Sequence, residues 1–305
     1  MGEAEGPAGS VRPRAADTAH GRIRVVTDSL AWIPPDLAQV HDLTVVPLHV
    51  HFGAEQYTET VDLTNEEFYR RLRQAKELPK TSQPSVGEFL EAYRAAAQAA
   101  AAILSVHASS KLSGTFRAAQ TAASLLREER PDVRIETLDT LQAATAEGIV
   151  AIRAAEDAAR GLPFDDVLAN ARALLPKPRI LFVVETLEYL HRGGRIGRAQ
   201  ALLGGLLHIR PILTVEDGEV APKERARTRS RAMERVVELM AEYAQGRPFG
   251  HVAVVHAVAE DVAHELTGRV QERFQLKRPI IATEVGPVIG TYIGPGAFGV
   301  TFHCD

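Results

Sequence analysis

The chain has 305 residues, 45% hydrophobic and 24% charged, with a formal net charge of −4. That length favours two domains over one, and the composition is globular rather than fibrous or low-complexity. Six tyrosines and one tryptophan without basic interleaving give no basis for nucleic-acid binding, and the single Cys304 excludes an intramolecular disulfide and fits a reducing compartment.

Residues 1–21 are rich in Gly, Ala, Pro and Arg and lack the apolar core of a secretory signal. They read as a disordered tail on a cytoplasmic protein. No apolar run reaches the ~18 residues that span a bilayer, so stable membrane insertion is not expected. A short strand over 23–26 ends in Thr27-Asp28-Ser29. Asp28 stands where open α/β sheets place ligand contacts, and where an Asx turn or a helix cap is equally at home. Trp32-Ile33-Pro34-Pro35 opens a helix, with proline in its first turn. Residues 43–52 predict a strand with His49 and His51 on one face. Two histidines could ligate a metal, but no further ligand cluster at suitable spacing accompanies them, so no metal site is expected. Thr64 and Glu67 have capping-box spacing and open a helix to about residue 75.

Lys80-Thr81-Ser82-Gln83-Pro84-Ser85 reads as a loop before a helix over 86–99, with Ser85 and Glu88 as its capping box. Unpaired N–H groups and the hydroxyls of Thr81 and Ser82 could hold an anion there, or could simply cap the helix. Strands over 101–106 and 134–138 alternate with helices over 116–130 and 146–160. This order predicts a mostly parallel sheet with helices on both faces. Leu112-Ser113-Gly114-Thr115 lies between strand and helix. Ser113 would sit at a helix N-terminus, and Gly114 would admit a ligand close to the backbone. Gly161-Leu162-Pro163 is placed as the boundary between an N-terminal α/β domain, 22–161, and a C-terminal one, 162–305.

The second half starts with a helix over 164–175 and a strand over 180–184. Gly193-Gly194 end a helix and leave Arg195 on a tight turn, as a carboxylate or phosphate ligand or as a surface arginine. Residues 199–207 are apolar and contain Gly204-Gly205. Residues 209–215 and 219 onward, joined by Glu216-Asp217-Gly218, form a hairpin. Arg227, Arg231 and Arg235 recur at helical spacing, as a solvated face or as a dock for an acidic partner. A strand over 252–255, a helix over 261–274 and a strand over 280–285 follow. Gly290-Thr291-Tyr292-Ile293-Gly294-Pro295-Gly296 reads as a tight loop before a last strand to residue 302. The chain has no G-x-G-x-x-G fingerprint, Walker A sequence or G-x-S-x-G elbow.

Taken together these stretches resemble the DegV family, the fatty-acid-binding proteins of bacterial fatty acid kinase systems. The landmarks stand in the family's order: Thr27-Asp28-Ser29, Thr81-Ser82-Gln83-Pro84-Ser85, Leu112-Ser113-Gly114-Thr115, Gly193-Gly194-Arg195, Arg210-Pro211-Ile212 and Gly294-Pro295-Gly296. The resemblance implies two α/β domains, the first a mostly parallel sheet and the second a mixed one, with a long-chain fatty acid buried between them. It implies that Thr81 and Ser113 hold the carboxylate and that Arg195 lies near the same end; the loop chemistry above places Ser82 and Gly114 beside it. It implies a carrier that is not itself an enzyme, needs no cofactor and presents the acyl group to a separate fatty acid kinase subunit. The family often has histidine before the Gly-Pro-Gly loop. Here Tyr292 takes that place, and it donates a hydrogen bond without carrying positive charge near neutral pH. The competing expectation is a serine-dependent acyl hydrolase using Ser113, with His107 as its base.

Overall fold

Residues 22–204 and 209–304 are described in the computed structural model of the chain. The expected disordered tail lies outside the described residues, as does Gly205.

Strand β1 (Ile23–Asp28) runs into a 3₁₀ turn, Ser29–Ala31, and then helix α1 (Pro35–Val40), which begins on a proline. The strand expected over 43–52 is two strands. β2 (Thr44–Val46) pairs parallel with β1, while β3 (His49–Phe52) pairs antiparallel with β4 (Glu55–Thr58) in a separate small sheet. Pro47, which has no N–H for a ladder, lies at the break. Helix α2 (Asn65–Gln74) follows. Thr64 accepts from the Glu67 N–H, but the Glu67 carboxylate turns to Arg70 and Arg71 instead of closing the capping box. Residues 80–82, expected as loop, are strand β5 (Lys80–Ser82) on the other side of β3. Helix α3 (Val86–Ala97) starts on a complete Ser85–Glu88 capping box.

β6 (Ala102–His107), α4 (Thr115–Glu129), β7 (Arg134–Asp139) and α5 (Thr145–Ala159) keep the expected βαβ order. The parallel sheet has the strand order β2-β1-β6-β7. Every residue of the central β6 is buried, as a strand covered on both faces requires. Phe89, Tyr93, Ala119 and Leu126 pack on one face from α3 and α4. On the other face, α5 is joined by α6 (Phe164–Leu174), whose Phe164, Val167 and Leu168 share one cluster with Val25 and Leu104. The expected boundary at Gly161 falls in the α5–α6 turn; by packing, α6 sides with the first sheet.

The second half comprises β8 (Arg179–Val183), α7 (Glu188–Arg192), a 3₁₀ segment Gly197–Leu202, β9 (Arg210–Glu216), β10 (Glu219–Ala226), α8 (Arg229–Ala244), β11 (Phe249–His256), α9 (Glu260–Arg273), β12 (Ile281–Glu284), α10 (Pro287–Ile293) and β13 (Phe298–Cys304). The sheet order is β10-β9-β8-β13-β11-β12, antiparallel except for the β11–β12 pair. Asp217 and Gly218, both at positive φ, make the two-residue turn of the β9–β10 hairpin. Strand alternation divides the sheet's two faces. Leu181 and Val183 of β8 pack under α8 and α9, whereas Ile180 and Phe182 face the first half.

Two further expectations are corrected. Residues 290–293 belong to α10 rather than to a loop, and Gly294, at φ 69°, ends that helix. Arg227 lies between β10 and α8, so it does not share a helix face with Arg231 and Arg235. Those two arginines pair with Glu234, Glu238, Glu242 and Glu224, a solvated and self-paired surface.

Candidate functional site

The face of the second sheet turned toward the first half does not pack shut. Leu30, Leu48 and Ala108 from the first half, and Phe182, Val215 and Val255 from the second, line a cavity. Mouth included, it encloses about 1000 Å³. Most of the lining is apolar; besides His256, its polar residues are Thr81, Gln83, Ser113, Arg195 and Tyr292, which gather together at one end.

Each of these arrives by its local structure. On β5 successive side chains point to opposite faces. Thr81 therefore reaches the cavity, as does Gln83 just past the strand's end, while the Ser82 hydroxyl turns away and bonds His51 Nε2 at 2.9 Å. Ser113 lies just ahead of α4, its Oγ accepting from the Thr115 N–H at 3.3 Å and sharing a bond with the Thr115 hydroxyl at 2.7 Å. Gly114 does not line the cavity. A Cβ there would meet the Gln83 carboxamide at 3.0 Å, so the glycine makes room for Gln83. Arg195 is fixed by its own turn and by the segment before α4, donating from Nη1 to the Gly193 carbonyl and from Nε to that of Leu112. Its guanidinium lies 4.9 Å from the centre of the Tyr292 ring, within cation–π range. Tyr292, on the last turn of α10, shares a short hydrogen bond with Thr81 Oγ1. Gly193 admits that ring, because a Cβ there would stand 2.5 Å from Tyr292 Cδ1.

Four of the six expected residues, Thr81, Ser113, Arg195 and Tyr292, thus share one end of the cavity; Ser82 and Gly114 stand behind it. Sequence reasoning gave Gln83 no role: with residues 80–85 expected as a loop, no alternation pointed to its side chain. The group can offer hydroxyl, carboxamide and guanidinium donors to an anion, and the apolar walls suit an elongated hydrocarbon.

Asp28 faces away from the ligand edge. It accepts from the Leu30 N–H and bonds His107 Nδ1 at 2.8 Å, the capping alternative. His107 Nε2 bonds Ser105 Oγ at 2.6 Å. With both ring nitrogens engaged, His107 is not a base for Ser113, and these contacts do not support the hydrolase alternative. Two buried carboxyls nearby are perturbed. Burial, with the Asp28 charge next in effect, pushes Glu147 well above the usual carboxylate range. Burial also raises Glu59 to about 7, against the lowering effect of bonds from the Ser29 hydroxyl and the Val288 N–H. His49, considered with His51 for a metal, instead donates to Glu88 at 2.9 Å.

The family model described as an uncharacterised protein of the DegV family matches residues 22–304. A DegV domain-containing protein of Halalkalibacterium halodurans is 36% identical over 285 residues, covering 93% of this chain and 99% of its own. A solved DegV-family protein of Thermus thermophilus, described as fatty acid binding, superposes with TM-score 0.87 at 34% identity, covering 93% of this chain and all of that one. A solved stearic acid-binding protein of Eubacterium ventriosum gives TM-score 0.85 at 27% identity, over 92% of this chain and 98% of that one. Nearly the whole described chain, all three sheets and the cavity walls included, lies within these matches, and the chain belongs to the DegV family.

Proposed function

We propose that the chain binds a long-chain fatty acid in the cavity and presents its carboxylate to a separate fatty acid kinase subunit, which forms the acyl phosphate. The carboxylate lies at the Thr81–Ser113–Arg195–Tyr292 end and the hydrocarbon along the apolar walls. The observation that carries the binding is a cavity built by both halves and polar at one end. Its fatty-acid-binding relatives support the same ligand class. At about 0.8 kcal/mol per buried methylene, a chain of about 14 methylenes gains on the order of 11 kcal/mol. Association costs remove several kcal/mol of that, and tight binding remains without any catalytic group. Transfer to a kinase subunit is the finer part of the proposal. It fits a chain whose sequence has no Walker A or G-x-G-x-x-G nucleotide loop.

The test is native and denaturing mass spectrometry of the protein purified from a bacterial host. A stoichiometric fatty acid released only on denaturation is the expected result. An empty protein that also refuses added fatty acids overturns the binding proposal. Mixing loaded protein with a kinase subunit and ATP, and measuring acyl phosphate, tests the transfer separately.

A further inference from the structure

Behind the cavity wall, Asp28 at the end of β1, His107 at the end of β6 and Glu147 in the first turn of α5 come together, all fully buried. One donor atom from each lies within 4.8 Å of the others. Tyr93 Oη lies 2.8 Å from Ser105 Oγ, and Ser105 Oγ lies 2.6 Å from His107 Nε2. His107 Nδ1 faces Asp28 Oδ2 at 2.8 Å. A bare nitrogen lone pair repels a carboxylate oxygen, so a proton or a metal cation must stand between them.

Glu147 brings a second carboxylate to the same place. Its Oε1 accepts from the Thr27 hydroxyl, while Oε2 is buried with no hydrogen-bond partner. Among the described residues no lysine or arginine is ion-paired with Asp28 or Glu147. A single divalent cation would balance both carboxylates and leave the imidazole neutral. Imidazole and carboxylate oxygens suit zinc and its neighbours, and Ser105 on the second nitrogen is the kind of outer contact that orients a liganding ring.

We propose that Asp28, His107 and Glu147 bind one divalent transition-metal cation of the zinc class, joining β1, β6 and α5 behind the cavity. Leu30, Ala108 and Ala144, each within three residues of one ligand, belong to the cavity wall, so the cation holds that wall in place. The site stands whether or not the cavity takes a fatty acid.

The full chain is expressed in zinc- or cobalt-supplemented medium, dialysed against EDTA and assayed by inductively coupled plasma mass spectrometry. One metal per chain, with the visible ligand-field bands of the cobalt form, is expected. Glu147→Gln and His107→Gln, each removing a ligand, should emerge largely metal-free and lose the cobalt bands. Metal-free wild-type protein from both media overturns the proposal and leaves protons to neutralise the cluster. Metal retained in both variants overturns it by placing the ion elsewhere. Should the variants fail to fold, X-ray absorption of the cobalt wild type decides. One nitrogen among oxygen ligands agrees with the site, and sulfur or several imidazoles contradict it.

Discussion

Thr81 and Ser113 reach the polar end from different elements, one from the edge strand β5 and one from the turn before α4. A hydrogen bond to a charged group is worth roughly 1.5–3 kcal/mol. Thr81→Ala and Ser113→Ala should therefore each weaken fatty acid affinity by about 10- to 100-fold, measured by displacement of a fluorescent fatty acid. Unchanged affinity in both would remove these residues from the carboxylate site. Glu59 makes a pH prediction. Its carboxyl is raised from 4.5 to about 7, so the folded chain holds a proton there that the unfolded chain has released. Its contribution to stability is therefore greatest below about pH 4.5 and declines as pH rises through 7, by about 3 kcal/mol at most. In Glu59→Gln that contribution vanishes. The stability difference between wild type and variant, from urea midpoints, should fall between pH 5 and pH 8; a flat difference would show that Glu59 titrates normally.

Helix α10 is the element on which the polar end turns. It is short, begins on Pro287 under the Glu59 carboxylate and ends at Gly294, with Tyr292 in its last turn. Its seat depends on the neighbouring turn, because Gly193 leaves the space that the Tyr292 ring fills. Gly193→Ala has no backbone reason to fail, since φ there is an ordinary −76°. The added methyl must displace the ring, at a cost of about 1–3 kcal/mol. Lower thermal stability together with weaker fatty acid binding is expected. A variant as stable and as tight as wild type would show that the ring has another place to go. The same element shows a limit of pattern reading. Three glycines and a proline in seven residues look like a loop, yet the first four residues continue the helix that Pro287 starts.

At the scale of the molecule, the two halves are held by an apolar cluster drawn from both and by buried polar bonds across it. Thr145 donates to Thr301 at 2.8 Å, and the Tyr69 hydroxyl to the Val285 carbonyl at 2.9 Å. A ligand filling the cavity would touch both halves at once and bind only the folded chain. Free fatty acid at about 100 times its Kd should then add about 2.7 kcal/mol of stability to delipidated protein and raise its Tm. No shift with any long-chain acid would mean that the cavity stays empty in solution.

By itself the sequence determined the helices other than α10, the parallel sheet and the family landmarks, because these follow from local periodicity, caps and turn residues. The Ser85–Glu88 box, the Asp217-Gly218 hairpin and the alternation over 101–160 all depend on neighbours within a few positions. It could not determine which landmarks face the cavity. Ser82 and Thr81 are adjacent in the chain, and only the pairing of β5 with β3 turns one inward and the other toward His51. Nor could it pair Asp28 with His107, 79 residues apart, or bring Glu147 beside them. Such contacts form where separate elements pack, and burial there changes the chemistry of a carboxyl or an imidazole in ways that no local pattern encodes.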